Sequence, residues 1–216
     1  MTEPKRKRRT RERVLETSLV LFNQFGEPNV TTTNIAEEMN ISPGNLYYHF
    51  RNKDEIVNDI FALFRREIDA ILAAPGSKQA TVEDVWLFLH LLFETIWKYR
   101  FLYRDLNDLL TRNRTLEIHF KSILAEKVRA IGTLCEGLIA AGEMDGEALD
   151  AAALATNMTL VVTYWLSFAY ARDPRHFEAA TVVGQGAYQT LSLFAPFLRG
   201  TGRELFQRLA TEYLKR

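Results

Sequence analysis

The chain has 216 residues, with 27 Lys plus Arg balanced by 27 Asp plus Glu, so its formal net charge is zero. Apolar residues at 47% and charged residues at 25% fit a soluble globular protein of one or two domains. A single cysteine, Cys135, excludes an internal disulfide and any cysteine cluster for zinc or iron–sulfur.

Zero net charge conceals an uneven distribution. Between Met1 and Arg13, seven basic residues (Lys5, Arg6, Lys7, Arg8, Arg9, Arg11 and Arg13) face only Glu3 and Glu12. This end has no apolar segment of the kind a secretory signal requires, so a cytoplasmic location is expected. A basic end on a neutral chain suits a polyanion partner, although a solvated charged tail reads the same way by charge alone.

Helical periodicity runs through the whole sequence, and sustained strand alternation is absent, so the expected class is all-α. Leu15, Ser18, Leu19, Phe22 and Phe25 share one face of a first helix that Gly26 and Pro28 end. Ile35, Ala36 and Met39 mark a second, short helix, and Leu46 and Phe50 a third. A fourth helix, from about 53 to 73, carries Ile56, Ile60, Leu63, Phe64, Ile68 and Ile71 and opens with a capping box at Asn52 and Glu55. Thr81 and Asp84 open a fifth, apolar on nearly every side. Tyr99–Leu110, Leu116–Ala141, Ala148–Tyr170 and Phe177–Leu198 continue the pattern, and Thr201 and Glu204 resemble a capping box before a last short helix.

The stretches Ala151–Ala171 and Ala179–Leu198 contain no charged residue. Their length suits a membrane span. However, Thr156, Asn157, Thr159 and Thr163 interrupt the first stretch, Gln185 and Gln189 the second, and anchoring basic clusters are missing. The better reading is a homodimer through helices at about 148–170 and 177–198, a four-helix bundle about a two-fold axis. Ala151, Ala152, Gly184, Gly186 and Ala187 are small enough for close helix approach.

The segment from Thr31 to Lys53 carries the chemistry. Thr31 or Thr32 can cap a short helix. Asn40 can take the left-handed turn conformation. Ser42 caps the next helix, whose first position is Pro43, where a missing amide hydrogen costs nothing. This is a helix-turn-helix, and the N-terminal end of its second helix enters the DNA major groove. With Leu46 and Phe50 facing inward, Pro43, Gly44, Asn45, Tyr47, Tyr48 and His49 remain for the duplex. Spacing alone allows the opposite reading, in which the two tyrosines and the histidine form an aromatic core face.

From about Thr10 to Phe61 the sequence resembles the DNA-binding domain of TetR-family transcriptional regulators. The match rests on Phe25-Gly26, on Thr32-x-x-Ile35-Ala36, on Ser42-x-Gly44-x-Leu46-Tyr47-x-His49-Phe50, and on Lys53-x-x-Ile56. The resemblance implies an N-terminal DNA-binding domain (residues 1–53) and a helical effector-binding and dimerisation domain (54–216), joined by the helix at about 53–73. It also implies phosphate contacts from Thr32, Tyr47, His49 and Lys53. Base contacts would come from Thr33, Pro43, Gly44, Asn45 and Tyr48, with Ser42 capping the helix that presents them. The expected protein is a regulator, a repressor released from a palindromic operator by a small apolar or aromatic molecule. An aromatic excess suggests the pocket: Trp86, His90, Phe93, Trp97, Tyr103, Asn107, Asn157, Val161, Tyr164 and Trp165. No cofactor is implied. The four histidines are scattered, and no phosphate loop or nucleophile elbow occurs, so no enzymatic activity is expected.

Overall fold

The computed structural model describes residues 5–76, 79–146 and 150–214, with side chains described over 9–76, 79–146 and 150–211. Among these residues the elements are helical, apart from an isolated antiparallel bridge between Met144 and Leu198. Eleven α-helices follow in chain order: α1 (Lys5–Phe25), α2 (Thr32–Glu38), α3 (Pro43–His49), α4 (Lys53–Leu72), α5 (Val82–Lys98), α6 (Arg100–Arg104), α7 (Leu106–Arg112), α8 (Arg114–Ala140), α9 (Ala151–Arg172), α10 (Ala179–Ser192) and α11 (Gly200–Leu214). The chain divides into two compact units, the first running to Arg66 and including Tyr99–His119, the second comprising Glu67–Lys98 and Phe120 onward.

In the first unit, α1 packs on α2 and α3 over a core of Val14, Phe22, Ile35, Leu46, Phe50, Ile56 and Ile60, all buried. Each such side chain contributes about 1.5–3 kcal/mol by leaving water. Phe25, expected on the inner face of α1, is 54% exposed at the helix end. The first unit extends past residue 53 because the α6 rings belong to it. Phe101 meets Phe22 at 5.3 Å, and Phe64 on α4 meets Tyr99 and Tyr103 at 5.5 and 5.9 Å. Asn23 Oδ1 accepts from the Phe101 amide at 3.1 Å, satisfying an otherwise orphaned helix-end donor.

The sequence suggests one helix from Tyr99 to Leu110, but Asp105 divides it into α6 and α7. Asp105 turns its carboxylate back to the Glu27 amide, which donates to Oδ2 at 3.0 Å. Glu27 itself is fully buried, with its carboxylate between Lys53 of α4 and Arg112 of α7. A buried carboxylate is tolerated only with such partners.

In the second unit α10 packs against α5, α9 and α11. A β-carbon on Gly186 would lie 2.7 Å from both the Phe93 and Trp165 rings, so only glycine fits there. The small residues Gly186 and Ala187 of α10 are therefore buried within the unit, rather than held for a partner helix as their size suggests. The indole of Trp165 donates to Val182 O at 2.8 Å. Phe177–Leu198 is also shorter as a helix than expected: α10 stops at Ser192, and a 3-10 turn spans Ala195–Phe197 around Pro196. Helix α11 starts at Gly200 (φ 52°), which puts Thr201 inside the first turn rather than at the cap. Helix α9 is long and apolar enough to cross a membrane, yet Leu154, Ala155, Met158, Val162, Trp165 and Leu166 are buried within the unit. Cys135 lies in the core, and burial pushes its thiol up to about 11.

Candidate nucleic-acid interface

Helices α2 and α3 are short, and their ends are fixed by local chemistry. Thr31 Oγ1 accepts from the Asn34 amide at 3.2 Å while Asn34 Oδ1 accepts from the Thr31 amide at 2.9 Å, a reciprocal box at the α2 N-terminus. Asn40, at φ 54°, is the one non-glycine residue with positive φ among those described. That conformation lets the Ile41 amide donate to Ala36 O at 3.0 Å and reverses the chain after α2. Ser42 Oγ then accepts from the Asn45 amide at 3.2 Å, with Pro43 at the first helical position.

The turn presents one face of α3 to solvent. Leu46 and Phe50 are fully buried, whereas Tyr47 and Tyr48 are 51% and 68% exposed. Thr33, Ser42, Pro43, Gly44 and Asn45 are exposed as well. Gly44 carries no side chain, and a β-carbon there would have only Ser42 Oγ within 4.0 Å, so its backbone stands open to a close approach. Thr32 is half-buried, and its hydroxyl is 2.9 Å from the Tyr47 hydroxyl, which pairs two of the expected phosphate ligands. Tyr47 and Tyr48 are therefore not the aromatic core face that spacing allows. His49 is: it is only 8% exposed, and its ring meets the Tyr48 ring edge-on at 5.3 Å.

Lys53 departs from the phosphate-contact expectation. Its ammonium turns inward, donating to Glu27 O at 2.9 Å and Val30 O at 3.0 Å and lying 3.0 Å from Glu27 Oε1. The buried Glu27 carboxylate claims it as a countercharge. The basic end likewise differs from a loose arm, because α1 is already helical from Lys5. Arg11, by sequence one of the cations available to DNA, clamps the head instead. It donates to His49 O at 2.5 Å and to Asp59 Oδ2 at 2.6 Å, and its guanidinium lies 4.1 Å above the Phe50 ring. No periodicity marks Arg11 or Glu27, since both roles depend on segments distant in the chain meeting in space.

The second unit contains a partly open cavity of about 630 Å³, lined on one side by Trp86, His90, Glu94, Trp97 and Lys98 of α5. Ala179–Gln185 (except Val182) of α10 and Leu209 of α11 complete the wall. Of the residues expected in a pocket, Trp86, His90 and Trp97 meet here. Phe93 and Trp165 are buried in the packing around Gly186. Asn157 and Tyr164 are exposed on α9, with Val161 half-buried. Tyr103 and Asn107 belong to the first unit, where burial raises the Tyr103 phenol far above its usual range. Glu94, Lys98 and the α10 wall are not anticipated by the sequence, because helical spacing does not tell which neighbour a face will meet.

A three-helix head with a capped turn and an exposed second helix defines a helix-turn-helix protein. The profile described as "Bacterial regulatory proteins, tetR family" matches residues 14–60, and that described as "Bacterial transcriptional repressor" (TetR) matches residues 63–206. A solved TetR-family transcriptional regulator from Marinobacter aquaeolei VT8 is similar over 94% of this chain and 98% of its own, at 36% identity and a TM-score of 0.83. The chain belongs to the TetR family. The ketosteroid transcriptional regulator KstR2 of Mycobacterium tuberculosis shares the fold, with a TM-score of 0.67 at 18% identity over 88% of this chain and 96% of its own. The probable acrEF/envCD operon repressor of Escherichia coli (strain K12) is 34% identical over 53 residues, 24% of either chain. AcrR of Shigella flexneri is 25% identical over 42% of this chain and 44% of its own length. The matched segments thus span between a quarter and about half of these curated relatives.

Proposed function

We propose that this protein is a sequence-specific DNA-binding transcriptional repressor. The observation that carries the reading is the α3 surface: an N-terminal end of Pro43, Gly44 and Asn45 stands exposed beside Tyr47 and Tyr48, above a sealed Leu46 and Phe50. Asn45 suits a base edge, the backbone at Gly44 suits close approach to phosphate, and the tyrosine hydroxyls suit the flanking backbone. Thr32 and Thr33 add hydroxyls at the start of α2. His49 and Lys53 act behind this surface, holding its shape.

Two copies act together, joined through α9 and α10. In support, Leu160, Tyr164 and Phe168 follow one another at four-residue spacing on α9 and are 57%, 43% and 56% exposed. An exposed apolar stripe of that length marks an interaction face. A dimer presents two α3 helices to half-sites about one helical turn or a multiple apart, hence a palindromic operator. The second unit takes a small apolar or aromatic molecule in the α5–α10–α11 cavity. Such a molecule releases DNA only by binding more tightly to the form whose head spacing misfits the operator.

The test is fluorescence anisotropy with fragments of the intergenic DNA beside the gene, in the presence of excess random DNA. Saturable binding of one fragment, with an Asn45→Ala variant weakened and still dimeric by light scattering, supports the proposal. Indistinguishable affinity for every fragment rejects it.

A further inference from the structure

We propose that the cavity of the second unit selects an amphipathic cation: a quaternary or protonated amine carrying an aromatic or apolar body. This rests on the ligand-responsive reading above and narrows it.

Glu94 and Lys98 are the two fixed charges on the cavity wall, and His90 adds a positive one only when protonated. Helix α5 sets Trp86, His90, Glu94, Trp97 and Lys98 along the same wall. The Lys98 ammonium is held by both carboxylate oxygens of Glu67, at 2.7 and 2.9 Å, so its charge is compensated on the spot. Glu94 keeps 59% of its side chain exposed, and its Oε1 stands 3.7 Å from His90 Nε2, beyond hydrogen-bond length. The facing residues Ala179, Ala180 and Gly184 bring no charge, and their small size leaves the cavity its volume. With Lys98 held by Glu67 and His90 neutral, what the cavity offers a ligand is a single carboxylate between two indoles.

The rings reinforce the same sign. Trp86 stacks on His90 with centroids 5.2 Å apart and planes at 22°, giving a flat aromatic wall. Trp97 leans on Phe177 at 4.9 Å, which fixes the second indole. Indole faces carry negative potential and attract cations, as a carboxylate does. An anion of the same shape meets repulsion from both. A neutral aromatic body gains the apolar contacts alone.

Matched probes separate these cases: phenylbutyltrimethylammonium, phenylpentanoate and uncharged phenylpentanol share a body and differ in the head. Titration of the free full-length protein by calorimetry and tryptophan quenching should give the ammonium a Kd at least about tenfold below that of phenylpentanoate. Glu94→Gln, at an exposed position that cannot harm folding much, should bring the two to within about threefold by weakening only the ammonium. Trp97→Leu should weaken both ammonium and alcohol. Equal or tighter binding of phenylpentanoate overturns the proposal, and so does a ratio unchanged by Glu94→Gln. Operator anisotropy, run in parallel, keeps the two readings apart. If the ammonium binds and DNA stays bound, ligand release fails while the cation site stands. If phenylpentanol releases DNA and the ammonium neither binds nor releases it, the cation site fails while ligand release stands.

Discussion

Replacing Lys53 with Met separates two accounts of a residue that sequence resemblance places on DNA. In the structure the Lys53 ammonium donates to two carbonyls and forms an ion pair with the carboxylate of a fully buried Glu27. Met preserves the apolar stem and removes the charge. Breaking a buried ion pair costs about 3–5 kcal/mol, because the remaining charge stays desolvated. Arg112 still pairs with Glu27 in the variant, so the loss falls at the low end, about 3 kcal/mol. For a chain of this size each kcal/mol moves Tm by about 2–4 °C, giving a fall of about 6–12 °C. The assay is thermal unfolding by circular dichroism beside operator titrations at several salt concentrations. The expected result is a lowered Tm with an unchanged slope of log K against log salt. A phosphate-binding Lys53 predicts the reverse: an unmoved Tm and a slope shallower by about 0.9 for each phosphate no longer neutralised. That outcome would refute the internal assignment.

Three further outcomes follow from named residues. Asn45→Ala should cost about 1–3 kcal/mol in operator affinity with non-specific binding unchanged, because it removes a base-edge donor and acceptor without touching the core; competition anisotropy measures both. Gly186→Ala should destabilise the protein by at least about 1–3 kcal/mol, since its β-carbon would lie 2.7 Å from two rings held by packing; urea denaturation reads this directly. Lys127 is fully buried on α8, 3.4 Å from the Thr163 hydroxyl, and burial lowers its pKa from 10.5 to about 7. The unfolded chain then binds more protons than the folded one between those values, so stability should rise with pH from about 7 to 10.5, and Lys127→Met should remove that slope.

The head is legible from sequence where a residue's role is local. Asn40 in its left-handed turn and Ser42 capping Pro43 each depend on three or four neighbouring residues, and periodicity places Leu46 and Phe50 inside. The network around Glu27 is not legible, because Lys53 and Arg112 lie far from it along the chain and meet it only after α4 and α7 are in place. Asp105 illustrates the same limit: it stands at the break between α6 and α7, and its carboxylate accepts from the distant Glu27 amide rather than from the α7 amides that a local cap would satisfy. The aromatic set splits for a related reason. Trp86 and Trp97 reach the cavity, whereas Phe93, between them on α5, turns into the packing against Gly186. Helical spacing gives a face but not its neighbour.

The outer face of α3 is expected to meet the bases of a duplex. A photo-crosslinking amino acid at position 48, with a second variant carrying it at position 160 on α9, tests this on protein bound to its operator fragment. Crosslinks from position 48 confined to two symmetric half-sites, and none from position 160, are the predicted result. DNA binding that persists while position 48 yields no crosslink to the duplex would mean that α3 is not the helix that reads DNA.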